Sequence, residues 1–256
     1  MIDEATAGDE AMDAHVPERR EFLKTGVGFA SAVALATFGG GLATAASAAS
    51  QRGAGGAGRT RRALVINAHQ HYPGISEGRL NQTLSRVIRK RLESKGYEVQ
   101  VTEIASGYDI QAEVEKHLWA NVIVTQSPVF WFGNPWIYKR YIDEVFTAGM
   151  MQQSFLSGDG RSRSDPSRQY GSGGKMQGKR YMLSLTMNSP KAAFDDDRQH
   201  LHRGLSLDEV FASNTANYRF CGAEILPVFA CYDVVSAADV DNDLKRLASY
   251  MDQHFS

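Results

Sequence analysis

The chain has 256 residues, 43% of them hydrophobic, with 28 basic and 29 acidic side chains and a net charge of -1. That is the profile of one ordinary globular domain with something added. The balanced charge weighs against a dedicated nucleic-acid binder, and no run of like charge is long enough to form an acidic or basic tail.

The addition lies at the N-terminus. Arg19-Arg20-Glu21-Phe22-Leu23-Lys24 is followed by an Ala- and Gly-rich stretch, residues 25–51, without a charged side chain. Ala43-Thr44-Ala45 and Ala46-Ser47-Ala48 offer small residues at the spacing a signal peptidase needs. This order predicts a twin-arginine export signal over residues 1–49, a periplasmic or secreted location, and the twin-arginine translocon as a partner during export. An uncleaved membrane anchor is the alternative; the stretch is long enough to span but weakly apolar. Residues 1–49 hold seven acids and three bases, leaving 25 bases and 22 acids in the remainder. Residues 50–62, rich in Gly, Ala and Arg, read as a flexible linker to a folded domain over 63–256.

The domain alternates strand and helix. Residues 63–67 form a short apolar run, a buried strand. Leu80, Leu84, Val87, Ile88 and Leu92 fall at helical spacing, and Gly96 ends that helix. A second strand is expected over 97–104, a helix over 110–118, a third strand over 121–125 and a helix over 135–146. Residues 149–178 show no periodicity and read as a long loop. A fourth strand follows over 180–187. A helix over 205–220 begins at Ser206 with Glu209 three residues on, the pattern of a capping box. A fifth strand over 223–232 and a helix over 238–255 close the chain. Five strands alternating with helices predict a parallel sheet covered on both faces, a three-layer α/β sandwich with strand order 2-1-3-4-5. Cys221 and Cys231 would stand ~33 Å apart along one strand, beyond the reach of a disulfide, so two buried free thiols are expected.

In such sheets ligands bind at the carboxyl ends of the strands. After the first strand, Ser76, Gly78 and the start of a helix offer an anion site. Alternating His69 and His71 in that loop lack a third ligand, and no metal site is expected. After the third strand, residues 126–136 carry Phe130, Trp131, Phe132 and Trp136, a surface for a planar ring, with backbone amides around Gly133 available to the ring's polar edge. A dimer interface or local core would use the same residues. After the fourth strand, Thr186 and Asn188 can donate to a ring. His200 and His202 are candidate proton donors. A phosphate-type site, an aromatic cradle and polar ring contacts at one place are what a flavin nucleotide needs.

The sequence from residue 63 to 253 closely resembles the modulator of drug activity B family, flavodoxin-like NAD(P)H:quinone reductases. The resemblance is carried by Ser76-Glu77-Gly78-Arg79-Leu80-Asn81-Gln82-Thr83, by the run from Pro128 to Trp136, by Tyr141-Ile142-Asp143-Glu144-Val145-Phe146, by Asp159-Gly160-Arg161, by Tyr170-Gly171-Ser172-Gly173-Gly174, and by Tyr181-Met182-Leu183-Ser184-Leu185-Thr186. It implies bound FAD, NADPH or NADH as electron donor, ping-pong two-electron reduction of a quinone through flavin N5, and a homodimer with active sites near its interface. It also implies that Ser76, Gly78, Arg79, Leu80, Asn81 and Thr83 hold the diphosphate. Pro128, Val129, Phe130, Trp131 and Phe132, then Tyr170, then Thr186, Met187, Asn188 and Ser189 would contact the rest of the cofactor. Tyr170 and His202 are the catalytic candidates. Ala68, Val129, Phe130 and Met187 depart from the family pattern. An exported flavin electron carrier without nicotinamide turnover is the competing function, and a binding protein that has lost the cofactor is a third.

Overall fold

The computed structural model describes residues 60–255. The export signal and most of the linker expected from sequence lie outside the described residues. The first strand, β1 (Arg61–Asn67), starts two residues earlier than the apolar run suggests. Arg61 and Arg62 pair in register with Tyr97 and Glu98, and the Arg62 guanidinium lies 5.6 Å from the ring centre of Trp119.

Then follow α1 (Arg79–Ser94), β2 (Tyr97–Glu103), α2 (Ile110–Trp119), β3 (Val122–Pro128), α3 (Trp136–Met151) and β4 (Arg180–Thr186). The C-terminal part comprises α4 (Leu207–Val210), α5 (Ala212–Phe220), β5 (Glu224–Ile225), β6 (Phe229–Cys231) and α6 (Val240–His254). All pairings are parallel, in the order β2-β1-β3-β4-β5, with β6 also on β4. The expected topology is present.

Side-chain alternation along β1 sorts the core into two layers. Ala63 and Val65 pack with Leu84, Ile88 and Leu92 of α1 and with Leu247, Met251 and Phe255 of α6. Leu64 and Ile66 pack with Val114, Tyr141, Val145 and Tyr218 on the opposite face. The three fully buried α1 residues recur every fourth position, and each contributes about 1.5–3 kcal/mol by leaving water.

Other elements also differ from the sequence expectation. The helix α3 runs on to Met151. The helix expected over 205–220 breaks at Phe211, whose side chain turns into the core, although the Ser206–Glu209 capping box forms as read. The fifth strand is interrupted around Pro227, which has no N–H for a ladder. Its halves pair with opposite ends of β4, Glu224 with Arg180 and Cys231 with Thr186. On the outer side the Tyr250 hydroxyl donates to the Pro227 carbonyl (2.6 Å), Arg246 donates to that of Ala230 (2.7 Å), and the Val228 amide donates to Asp208 (2.7 Å). Both cysteines are free and buried. Cys221 follows the end of α5 rather than opening a strand, and burial pushes each thiol up to about 12.

Candidate cofactor site

A buried chain of hydrogen bonds crosses the carboxyl ends of four strands. The Asn67 amide donates to Glu103 (2.6 Å), Asn81 donates to Asn67 Oδ1 (2.5 Å), Gln126 donates to Asn81 Oδ1 (2.9 Å), and the Ser184 hydroxyl donates to Gln126 Oε1 (2.6 Å). Asn67 Oδ1 also accepts from the His69 amide (3.1 Å). Every amide in the chain has its oxygen used, which fixes its orientation. Burial pushes the Glu103 carboxyl above its usual value, against the pull of the Asn67 donor. Through Asn81 this chain pins the first turn of α1 to the tips of β1 and β3.

The start of that helix is open. Gly78 caps α1 with φ 74 and no side chain caps it, nor is there an acid in the first turn. The first intrahelical bond is from Gln82 to the Gly78 carbonyl (2.9 Å), so the amides of Arg79, Leu80 and Asn81 face outward, the geometry that receives an anion. Arg79 is exposed beside them. The His69 ring packs where a Gly78 side chain would stand, with its Nε2 3.4 Å from the Ser76 hydroxyl. Burial lowers the His69 imidazole below its ordinary value. His71 instead pairs with Glu77 at 3.3 Å. The Thr83 hydroxyl donates back to the Arg79 carbonyl (2.9 Å), and the Asn81 side chain is committed to the buried chain. Of the six residues expected to hold a diphosphate, these two therefore offer no free side chain as donor; Asn81 offers its backbone amide.

After β3 the chain makes a tight reversal. Phe130 and Gly133 exchange backbone hydrogen bonds of 2.8 and 3.1 Å, while Trp131 and Phe132 between them have φ 48 and 65. Both central residues are left-handed, as in a type I′ turn, a conformation that favours Gly and Asn. The Gly133 amide is thus used within the turn and is not the ring donor expected from sequence; the Trp131 and Phe132 amides have no backbone partner among the described residues. Trp131 is 94% exposed and Phe132 55%. Phe130 points inward and stacks on Tyr72, ring centres 4.7 Å apart. Pro128 is buried at the end of β3, and the Val129 amide donates to Thr186 (2.8 Å), which joins the turn to β4.

The segment after β4 is largely committed to the fold. Thr186 and Met187 are buried, and the Met187 amide donates to Cys231 (3.0 Å). Asn188 Oδ1 accepts from Val235 (3.1 Å) and from the amide and hydroxyl of Ser236 (3.0 and 3.1 Å). Only its amide nitrogen remains to donate. The Ser189 carbonyl accepts from Asp233 (3.3 Å).

The two catalytic candidates are separated. His202 is buried, stacked on Phe194 at 4.6 Å and edge-on to Phe132 at 6.5 Å, so it stands directly behind the aromatic turn. His200 is exposed. Tyr170 is not brought to this end of the sheet. It packs on Phe220, the last residue of α5, ring centres 5.3 Å apart, with Arg161 5.5 Å from its centre. The loop that carries it packs against Cys221 and Gly222, before β5, at the amino ends of the strands. Asn67, Glu103, Gln126, Ser184 and Tyr72 were not singled out from sequence. Polar residues closing otherwise apolar strands were the available signal.

An open helix start, a glycine that admits the His69 ring and an exposed strained aromatic turn at the β1/β3 switch point suit a flavin nucleotide. Residues 61–255 match the model of the flavodoxin-like fold family. The chain belongs to this family. Among curated members of the flavodoxin-like family, an NADPH:quinone oxidoreductase, MdaB, from Haemophilus influenzae is 37% identical over 182 residues, 71% of this chain and 93% of the relative. A structure of a candidate quinone reductase from Klebsiella pneumoniae superposes with TM-score 0.61 at 24% identity, covering 76% of this chain and 85% of that one. The general stress protein 14 of Treponema denticola, solved with FMN, superposes with TM-score 0.51 at 20% identity over 75% of this chain and 98% of that one.

Proposed function

We propose that this protein is an FAD-dependent NAD(P)H:quinone oxidoreductase, exported by the twin-arginine route. The observation that carries the reading is that the uncapped α1 start beyond Gly78 and the strained Trp131–Phe132 turn lie at the ends of adjacent strands. The similarity to the Haemophilus influenzae quinone oxidoreductase supports it.

When bound, the flavin supplies reversible hydride chemistry, which suits two half-reactions at one ring face and ping-pong kinetics. The protein binds and orients. The amides of Arg79, Leu80 and Asn81, with Ser76 and the Arg79 side chain, hold the phosphates. The Trp131–Phe132 turn and the Asn188 amide nitrogen hold the ring, and Thr186 fixes the turn through Val129. Reducing a quinone to its hydroquinone takes a hydride and a proton, and His202, behind Phe132, is the nearby group able to hold that proton.

Tyr170 reaches this end of the sheet only from a second copy. Exposed apolar side chains lie at both ends of α3, Trp136 at its start and Met150 and Met151 at its end, with Tyr170 beyond. A two-fold dimer that sets α3 against its mate antiparallel brings the start of one to the end of the other.

The test is an absorbance spectrum of the purified mature protein before and after anaerobic NADPH or NADH, with mass analysis of the released flavin. A flavin band that bleaches and returns on adding a quinone is the expected result, with FAD as the released species. A band that responds only to dithionite would instead mark an electron carrier. No band after reconstitution with FAD or FMN would remove the enzyme assignment.

A further inference from the structure

We propose that Tyr141 and Tyr108 form a one-electron relay, which carries an oxidising equivalent from the core beside Phe132 to the protein surface. This function stands apart from the reductase reading and does not use the cofactor.

The relay is built on α3. Tyr138, Tyr141 and Glu144 recur every third residue, which places them along one face of that helix. Tyr138 and Phe132 line the same cleft. The Tyr138 ring is stacked on that of Tyr141, centres 6.3 Å apart, and Tyr141 meets Tyr108 edge-on at 4.9 Å. Tyr138 and Tyr141 are buried, whereas Tyr108 is half-buried and reaches solvent. Three neighbouring rings thus span from the cleft to the surface.

Two of the three carry a proton acceptor. The Tyr141 hydroxyl donates to Glu113 (2.7 Å), and the Tyr108 hydroxyl donates to Glu144 (2.6 Å). Glu113 is 1% exposed. A carboxylate is rarely taken so deep without partners, and this one also accepts from Thr102 (2.8 Å) and Lys116 (2.6 Å). Glu144 is shared with Arg140 (2.8 Å). Burial, with the neighbouring carboxylate, holds both phenols above their ordinary value, so neither ionises by itself near neutral pH. Each ring can then lose an electron as its proton crosses to its carboxylate. The Tyr138 hydroxyl instead meets other hydroxyls, those of Thr125 (3.2 Å) and Tyr181 (3.1 Å). These are poor bases, so Tyr138 transmits the electron without storing the hole.

An oxygen-centred radical at the cleft takes one electron from Tyr141 through Tyr138 and becomes an anion, while the Tyr141 proton passes to Glu113. Tyr108 then gives an electron to Tyr141 and its proton to Glu144, and Glu113 returns its proton to Tyr141. A soluble one-electron reductant of the ascorbate class refills Tyr108, and Glu144 returns its proton. One electron enters at the surface and one leaves at the cleft, and the protein ends as it began.

The test uses the full-length protein as purified. Azide radicals made by pulse radiolysis are the oxidant, ascorbate is the reductant, and the tyrosyl absorbance is followed in time. Electron paramagnetic resonance of rapidly frozen samples should show a tyrosyl component that is lost in Tyr141→Phe, and ascorbate should speed its decay. In Tyr108→Phe the component should remain but lose its response to ascorbate. Glu144→Gln keeps an acceptor for Tyr108 but removes the base. It should slow the ascorbate-driven decay about a hundredfold, the lower end of what a positioned base contributes, and heavy water should slow the native decay. A merely structural Glu144 would change the melting temperature and not this rate. Should Tyr141→Phe fail to fold, because Glu113 loses a donor, the ascorbate response of the Tyr108 and Glu144 variants still decides. No Tyr141 component in the native protein, or a decay equally fast in Tyr108→Phe and Glu144→Gln, would overturn the relay. Neither result bears on flavin binding or turnover, so the reductase reading stands or falls separately.

Discussion

The Cβ that Gly78 lacks would stand 2.3 Å from Cε1 of His69. The contact is with a buried ring held in the loop after β1, and Gly78 is left-handed at φ 74. Glycine therefore sets how closely the loop approaches the helix start proposed to face the phosphates. Gly78→Ala should lose at least the ~1–2 kcal/mol of a left-handed alanine, and flavin affinity should fall at least tenfold as the α1 amides shift. Gly96→Ala carries the same backbone cost at φ 81 with no atom within 4 Å. It should lower the melting temperature while leaving flavin affinity alone. Paired melts and flavin titrations of the two variants check this.

Trp131 and Phe132 occupy turn positions that Asn and Gly would fill with less strain. The double change Trp131→Asn, Phe132→Gly should stabilise the fold by about 1–2 kcal/mol, because two bulky left-handed residues are relieved. It should also weaken flavin binding markedly. Urea unfolding and flavin titration should therefore move in opposite directions. A variant that loses both would show that the aromatics serve the fold.

His117 is fully buried, with Nδ1 2.8 Å from the Glu113 carbonyl and Nε2 3.1 Å from the Tyr218 hydroxyl. A carbonyl only accepts, so Nδ1 carries the hydrogen and Nε2 accepts from Tyr218. Burial brings this imidazole down from 6.5 to about 4. Between those values the unfolded chain takes up a proton that the folded one refuses. Stability should fall as pH falls through that window and be level above it, by a total of about 3 kcal/mol. In His117→Gln, which keeps an acceptor for Tyr218, that part of the acid slope should vanish in urea unfolding between pH 7.5 and 4.5.

The thiols of Cys221 and Cys231 are buried and pushed up to about 12. Neither should react with an aromatic disulfide reagent in the native protein at pH 8, and both should react at once in denaturant. Rapid native labelling of either would contradict this burial.

What was legible in sequence was what local pattern controls. The apolar runs at 63–66 and 122–124 are buried on both faces of a parallel sheet, which leaves them no polar alternation to blur. The Ser206–Glu209 box closes over three residues and formed as read. The break at Phe211 has no local mark, since its cause is a core position for that ring. Pro227 did carry a warning, and the strand read through it was split there. The site was half visible. Gly78 and the aromatic turn stand out by residue type, but the Asn67–Asn81–Gln126–Ser184 chain joins residues 14, 45 and 58 positions apart, which no short pattern reports. The position of Tyr170 was not legible for the same reason: a loop without periodicity gives no sign of which end of the sheet it covers.

The interrupted strand beside β4 has a consequence for assembly. The Pro227 and Ala230 carbonyls on its outer side are occupied by Tyr250 and Arg246, and the Val228 amide by Asp208. A newcomer's backbone finds few open groups there with which to begin a ladder. Growth of the sheet is hindered on this flank, so copies of the chain that meet there would do so through helices and loops.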